Sequence, residues 1–357
     1  MSSSTTQLFS GHLRPFPGVD ASWSAEKRAI ASSILADVVQ AAPDMLGSIV
    51  PDADIEDFWE DAARVSAAWR ASGGDLETKD PGNWSADEMS RRIGPVTSNE
   101  EGGRHSMDRL IGHALVREHG GREMLLGSLG ETAVKDDSTD ILHWLAARHR
   151  DHGVQRGVVK AASTKGGIWS IMLDSDPEVI SRRLLEAMDW GYMNLEGASN
   201  GVLAQDALEL QYEYRLFVVD GEVVSGAGCV EEFTPLDRDQ FSGPFDARVR
   251  RTRGHLHQGE PSFVEERQTI VAQLIEFGMR IAREHGGTFG LDVALDAGKV
   301  TAEYPFGTPV VIELNTIHNS GLYASDPWAV TAALVNANDR GYQLAADVLA
   351  GPATLVN

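Results

Sequence analysis

The sequence predicts an α+β fold, and two observations carry that prediction. Segments with helical apolar spacing are interleaved with strand–turn–strand patterns, the clearest being VVDGEVV with Asp220-Gly221 at its turn. Such hairpins are antiparallel, so the order of elements argues against a doubly wound parallel sheet. The character of the chain also changes near residue 106, from acidic and mostly helical to mixed helix and strand.

The chain has 357 residues, enough for roughly two or three domains. It is 42% hydrophobic and 24% charged, the balance of an ordinary globular protein. No apolar run approaches the ~20 residues of a membrane span. The start, MSSSTTQLFSGHLRPF, lacks a basic segment followed by a long apolar one, so a secretory signal is not expected and the cytoplasm is the default location. Cys229 is the single cysteine, which excludes disulfide and thiolate–zinc frameworks. A net charge of −22 disfavours nonspecific nucleic-acid binding, which needs clustered lysine and arginine. The basic run RVRRTR at 248–253 stands against that background and reads equally as a solvated loop or as an anion-facing one.

In chain order, SAEKRAIASSILADVVQAA has helical apolar spacing with Ser24 as its N-cap, and DIEDFWEDAARVSAAWRAS reads as a second amphipathic core helix. Residues 72–105, rich in Gly, Pro, Asn, Asp and Ser, read as a loop-rich connection. SMDRLIGHALVREHGG reads as a helix closed by Gly120, followed by the strand EMLLGS; REHGGTFGLDV repeats the ending at 283–293. DSTDILHWLAARHRDHG is a capped helix and GVVKAA a strand. DPEVISRRLLEAMDW is a helix started by Asp176 and Pro177. GVLAQDAL and YEYRLFVVDGEVVSGAGCVEEF are strands, SFVEERQTIVAQLIEFGMRIAREHGG is a long amphipathic helix, and DPWAVTAALVNANDRGYQLAADVLA closes the chain as helix.

The chemistry concentrates at 289–321. A short apolar strand carries Asp292, and PVVIELN carries Glu313 and Asn315 two positions apart, so both point to one face. Two carboxylates and an amide oxygen on neighbouring strands form the hard oxygen set that suits Mg²⁺ held together with substrate phosphates. Upstream, GVVKAASTKGGIW places Lys160 on a strand and Lys165, Gly166 and Gly167 in a small-residue loop. Glycines there let backbone N–H groups approach an anion, although the Walker A spacing is absent and a plain surface loop fits as well. Gln205, Asp206, Ala207 and Leu208 offer backbone groups to a purine edge and Glu213 a carboxylate to a ribose hydroxyl, or the segment is an ordinary edge hairpin. Cys229 reads as a small core residue rather than a nucleophile, and the histidines lack zinc spacing in the sequence.

Taken in order, these elements resemble the ATP-grasp family over about residues 106–350. SMDRL resembles the family's S-M-D-K-L helix start, with Arg109 in place of the first phosphate-binding lysine. Lys160 resembles the second, and TKGG resembles the mobile flap. Gln205–Leu208 resembles the adenine hinge and Glu213 the ribose carboxylate. Asp292, Glu313 and Asn315 resemble the magnesium ligands. RTRGHLHQGE is similar to the R-x-N-L-H-R-G segment of ligases that add glutamate to carboxyl ends. By that match Arg253 contacts the γ-phosphate or acyl-phosphate; His255 and Gln258 depart from the pattern. The loop NTIHNSG after Asn315 is longer than the family's, which makes His318, Ser320 and Gly321, with Arg251, candidates for substrate contact.

The resemblance implies two α+β subdomains clasping ATP, preceded by a mostly helical region of unassigned role at 1–105. The first lobe, with the flap, would be 106–207 and the second, with the magnesium site, 208–357. It implies ATP and Mg²⁺ as cofactors. It implies a carboxylate–amine ligase that joins a small-molecule or peptide carboxylate to an amine acceptor through an acyl-phosphate, with Lys160 and Arg253 as catalytic residues. In that family homo-oligomers are common. No membrane or nucleic-acid partner is expected. A phosphotransferase on the same fold, or a nucleotide-binding interaction protein without catalysis, is the alternative.

Overall fold

The computed structural model describes residues 7–9, 18–41, 55–74, 76–78, 92–93, 114–128, 139–161, 167–188, 201–238, 243–251, 263–315, 317 and 320–339. Two four-stranded sheets dominate, and every strand pair within them is antiparallel.

The first sheet has the order β4-β7-β5-β6, from β4 (Met124–Ser128), β5 (Arg156–Ala161), β6 (Ile168–Met172) and β7 (Gly201–Asp206). Helices α4 (Thr139–His152) and α5 (Pro177–Met188) cover one face, burying Val159, Ala161, Val202 and Ala204 with Ile141, Leu145, Ile180 and Leu184. Side chains alternate across a strand, so Lys160, Leu203 and Gln205 belong to the opposite face. The β6 strand is absent from the sequence expectations, because GIWSI reads as the end of a glycine loop.

The second sheet has the order β13-β12-β8-β9, from β8 (Leu210–Val219), β9 (Glu222–Gly228), β12 (Phe289–Asp296) and β13 (Thr308–Asn315). Helix α6 (Gln268–His285) packs Ile270, Leu274, Ile281 and Ala282 against Tyr214, Leu216, Leu291 and Val293. Gly278 permits this approach, since a Cβ there would overlap Leu216. On the other face Phe217 and Val219 pack on Val330 and Leu334 of α7 (Pro327–Asp339), while Glu213, Arg215, Asp292, Glu313 and Asn315 fill the remainder. The β8–β9 turn has φ 53° at Asp220 and 76° at Gly221, the left-handed pair that an Asp-Gly hairpin predicts.

Three expectations are corrected. RVRR is a strand rather than a loop: β10 (Arg248–Arg251) pairs with β11 (Phe263–Glu266). Consequently the long helix begins at Gln268, because SFVEE pairs its backbone with β10 before the helix starts. The N-terminal region is also not simply helices and loop. A small parallel sheet joins β1 (Gln7–Phe9), β2 (Leu76–Thr78) and β3 (Arg92–Ile93). Strands of two or three residues carry too little alternation to be read from sequence.

Helices α1 (Ala25–Ala41) and α2 (Ile55–Ala71) match their expected spans, and Ser24 Oγ accepts the Lys27 N–H at 3.1 Å as an N-cap should. Phe58, Trp59, Val65, Ile34 and Val38 form a core with Leu236, and with Val335 and Trp328 of α7. The N-terminal helices therefore back the second sheet through α7. Helix α3 (Ala114–His119) precedes β4. Among the described residues no helix is long and apolar enough to cross a membrane.

Candidate functional site

Asp292, Glu313 and Asn315 converge on one face of the second sheet. Asp292 lies opposite Glu313 in the β12–β13 register, and Asn315 Nδ2 donates to Asp292 Oδ2 at 3.0 Å and to Glu313 Oε1 at 3.1 Å. A β-bulge sets this parity. The pairing runs Asp292 to Glu313 and then Val293 to Val311, leaving Ile312 extra. Val311 and Leu314 thereby both reach the apolar core while Glu313 and Asn315 face the site.

Lys160 crosses from the first sheet to pair with Glu313. Burial lowers the Lys160 pKa, opposed by Asp292 and Glu213. The two lobes thus meet charge to charge at the expected phosphate lysine and the expected metal carboxylate.

Arg215, to which no sequence motif points, organises the centre. Its guanidinium, only 8% exposed, donates Nε to Asp292 Oδ1 at 2.7 Å and Nη2 to Asp292 Oδ2 at 2.6 Å. Its Nη1 reaches the Gly321 carbonyl at 3.4 Å, and Tyr323 lies 5.2 Å away across its ring. The spacing Glu213-x-Arg215 is legible as one strand face. What hides Arg215 is that a bidentate partner is visible only once β12 lies alongside β8.

Glu213 sits beside Asp292 and Cys229, with ligand atoms of the three within 4.8 Å of one another. A second bulge aims it there: Val293 pairs with Tyr214 and Leu295 with Gln211, and Tyr212 adopts φ 58°. Burial first, and the Asp292 charge second, raise the Glu213 pKa to about 7, opposed by Arg215 and Lys160. The same surroundings push the Cys229 thiol up, principally through burial, so it is held away from the nucleophilic thiolate.

At the other end of the cleft, Arg122 ties the lobes together. It donates to Gln205 Oε1 (2.8 Å), Gly120 O (2.9 Å), Val311 O and Ile312 O (both 2.8 Å). The last two carbonyls are adjacent in sequence, and they share a donor because of the bulge at Ile312. Burial pushes the Arg122 pKa down to about 10. Gly121, at φ 64°, brings the chain close enough that a Cβ would lie 2.8 Å from Val310. No pattern in GGREM points to this role.

In the expected hinge, Asp206 N–H donates to Glu123 O and Ala207 N–H to Arg156 O, both at 3.1 Å. The Asp206 carboxylate takes both Arg148 donors, at 3.0 and 2.6 Å. Those two N–H groups are therefore committed within the protein; Leu208 follows them in the link to β8. Gly321 is brought to the site through Arg215, and Ser320 is buried beside Gly290, where a Cβ would overlap Ser320 Oγ. Arg251 lies instead near Tyr212 and Glu265, with its buried Nε lacking a partner among the described residues. Arg248 and Arg250 of the basic run are engaged by Asp246 and Glu232. Arg109, Lys165, Gly166, Arg253 and His318 lie outside the described residues.

The N-terminal helices reach this site too. Glu60 Oε1 of α2 accepts the Tyr323 N–H at 2.8 Å, and Arg64 donates to the Ser320 carbonyl. The segment after Asn315 is thus clamped from a region in which no chemical motif is readable.

Residues 171–333 match a family model that describes an ATP-grasp domain, the second family of its clade. These residues are similar to an ATP-grasp domain. The match runs from β6 to α7 and so includes the whole second sheet with Asp292, Glu313 and Asn315. No curated protein matches the chain. Among solved structures, it is similar to D-cycloserine synthetase DcsG at 14% identity and TM-score 0.43, covering 77% of this chain and 93% of that one. It is similar to a RimK domain ATP-grasp protein from Sphaerobacter thermophilus at 12% identity and TM-score 0.37, covering 92% and 97%. It is similar to D-alanine–D-alanine ligase from Bacillus anthracis, complexed with ATP, at 11% identity and TM-score 0.32, covering 93% and 95%.

The donor chemistry of this site fits a hard divalent cation. The carboxylates of Asp292 and Glu313 and the amide of Asn315 are linked by hydrogen bonds, and the Lys160 ammonium already occupies the cation position at Glu313. An Asn315 amide turned over would present its oxygen to a metal.

Proposed function

We propose that the chain is an ATP-dependent carboxylate–amine ligase. The observation that carries this reading is the meeting of Lys160, from the first sheet, with Glu313 of the Asp292–Glu313–Asn315 set, in a chain whose residues 171–333 match an ATP-grasp domain. Asp292, Glu313 and Asn315 would hold Mg²⁺, which supplies neutralisation of phosphate charge when bound.

A substrate carboxylate oxygen attacks the γ-phosphorus of ATP, and the bond to the β–γ bridging oxygen breaks, giving an acyl-phosphate and ADP. An amine nitrogen then attacks the acyl carbon, phosphate leaves with the C–O electron pair, and the nitrogen loses a proton. Neither step needs a protein nucleophile, consistent with a Cys229 thiol held protonated. The chain contributes positioning and positive charge. Lys160, now paired with Glu313, would bind phosphate. Arg109, Lys165, Gly166 and Arg253 add to the phosphate cradle. Gln205–Leu208 borders the adenine, Glu213 faces the ribose, and Arg215 keeps the Asp292 carboxylate aimed through its two hydrogen bonds. Ser320 and Gly321, held by Arg64 and Arg215, line the acceptor side, and His318 is assigned to substrate contact from the sequence alone.

The test is an ADP-release screen over paired carboxylic acids and amines, with mass spectrometry of products. ADP and phosphate appearing only when both acid and amine are present support the ligase. Phosphate retained on a single acceptor identifies a phosphotransferase instead. Glu313→Ala should abolish turnover while the fold persists; wild-type turnover in that variant, with magnesium, sinks the site assignment.

A further inference from the structure

The segment REHGG occurs twice, at 117–121 and 283–287, and the two copies meet in space. Each closes a helix, α3 and α6 respectively. The His119 and His285 Nε2 atoms lie 3.4 Å apart. The carboxylates cross over: Glu284 Oε2 is 3.9 Å from His119 Nε2, and Glu118 Oε2 is 3.8 Å from His285 Nε2. Glu118 Oε2 is also 4.0 Å from His119 Nε2. The sequence resemblance gives this surface no part in nucleotide chemistry.

We propose that His119, His285, Glu118 and Glu284 bind one zinc-like divalent transition-metal ion. The separation of the imidazole nitrogens is the first argument. Zinc–nitrogen bonds of about 2.0–2.1 Å at a tetrahedral angle place two ligating nitrogens about 3.3–3.4 Å apart. The observed 3.4 Å meets that without backbone movement. Glu118 lies with the two imidazoles in a group whose ligand atoms are all within 4.8 Å of one another, and Glu284, which reaches only His119 at 3.9 Å, is exposed and completes the set by side-chain rotation.

The electrostatics form the second argument. Two helix C-termini converge here, each bringing partial negative charge, and two carboxylates add to it. His119 is further held edge-on against Phe277, with ring centroids 6.3 Å apart. The mixed nitrogen and oxygen set suits zinc over magnesium, so the site is chemically separate from Asp292–Glu313–Asn315. Bound metal would pin α3 to α6, just before the Gly120-Gly121 turn that delivers Arg122 to both lobes.

The experiment uses the full chain, stripped with chelator and titrated with zinc by calorimetry, with bound metal counted by mass spectrometry. One zinc per chain is expected, with cobalt giving tetrahedral visible absorption. His119→Asn with His285→Asn should weaken zinc binding by about 100-fold or more, and Glu118→Gln with Glu284→Gln by about 10-fold. Zinc should raise the thermal midpoint of the wild type but not of the histidine pair variant. Glu313→Ala should retain zinc, which keeps this outcome independent of the ligase reading. No binding with zinc in excess, or wild-type affinity in the folded histidine pair variant, overturns the proposal. If that variant fails to fold, undiminished affinity in the glutamine pair variant overturns it instead.

Discussion

Replacing Glu213 by glutamine should stabilise the protein at pH 8. Glu213 faces Asp292 in a half-buried site, and its pKa is raised from the ordinary 4.5 to about 7. Between those values the folded protein holds a proton that the unfolded chain has released. Stability therefore falls as pH rises across that window and levels off above about 7. At about 1.36 kcal/mol for each tenfold change, the rise corresponds to about 3 kcal/mol. Partial exposure and the shared charge of Asp292 reduce this to about 2–3 kcal/mol. Glutamine keeps the shape, removes the charge and cannot titrate. Urea unfolding at pH 4.5 and pH 8, without nucleotide or divalent metal, measures it. The variant and wild type should be nearly equal at pH 4.5, with the variant ahead by that margin at pH 8. Titrating groups remote from Glu213 cancel in the difference. Equal slopes with pH, or a variant less stable than wild type at pH 8, would refute the reasoning.

Three further perturbations probe the architecture. Arg122→Ala should cost about 2–4 kcal/mol, because it strips a shared donor from the Val311 and Ile312 carbonyls and from Gln205, and lysine should restore only part of it. A urea midpoint unchanged from wild type would remove Arg122 as the lobe tie. Gly290→Ala should cost about 1–3 kcal/mol by overlapping Ser320, and adding Ser320→Gly should recover much of the loss; absence of recovery means the strain lies elsewhere. Arg253→Ala should lower ATP turnover far more than nucleotide affinity, as steady-state kinetics beside calorimetry would reveal, and equal loss of both would place Arg253 away from the reacting phosphate.

The readable parts of this protein are those governed by local rules. The i, i+2 spacing of Glu313 and Asn315 puts both on one strand face, and the hydrogen bonds from Asn315 to Glu313 and Asp292 have that geometry. Asp220-Gly221 specifies its own hairpin through positive φ, and Ser24 its own cap. Lys160 stands out as a charge on an apolar strand. Local rules misread 248–266, where short strands made by pairing look like a loop and a helix start.

Only the tertiary structure decided the rest, because it depends on partners distant in sequence. Arg215 meets Asp292 across 77 positions, Arg122 meets Ile312 across 190, and Arg64 meets Ser320 across 256. The bulges at Ile312 and Tyr212 choose which face Glu313 and Glu213 present, and a bulge is a property of two strands together. By itself the sequence determined the α+β class, an order of elements that resembles the ATP-grasp family, and the placing of Asp292, Glu313 and Asn315 on β12 and β13. Folding added what no single strand encodes: burial, which moves the Glu213 and Lys160 pKa values, and the countercharges that oppose those shifts.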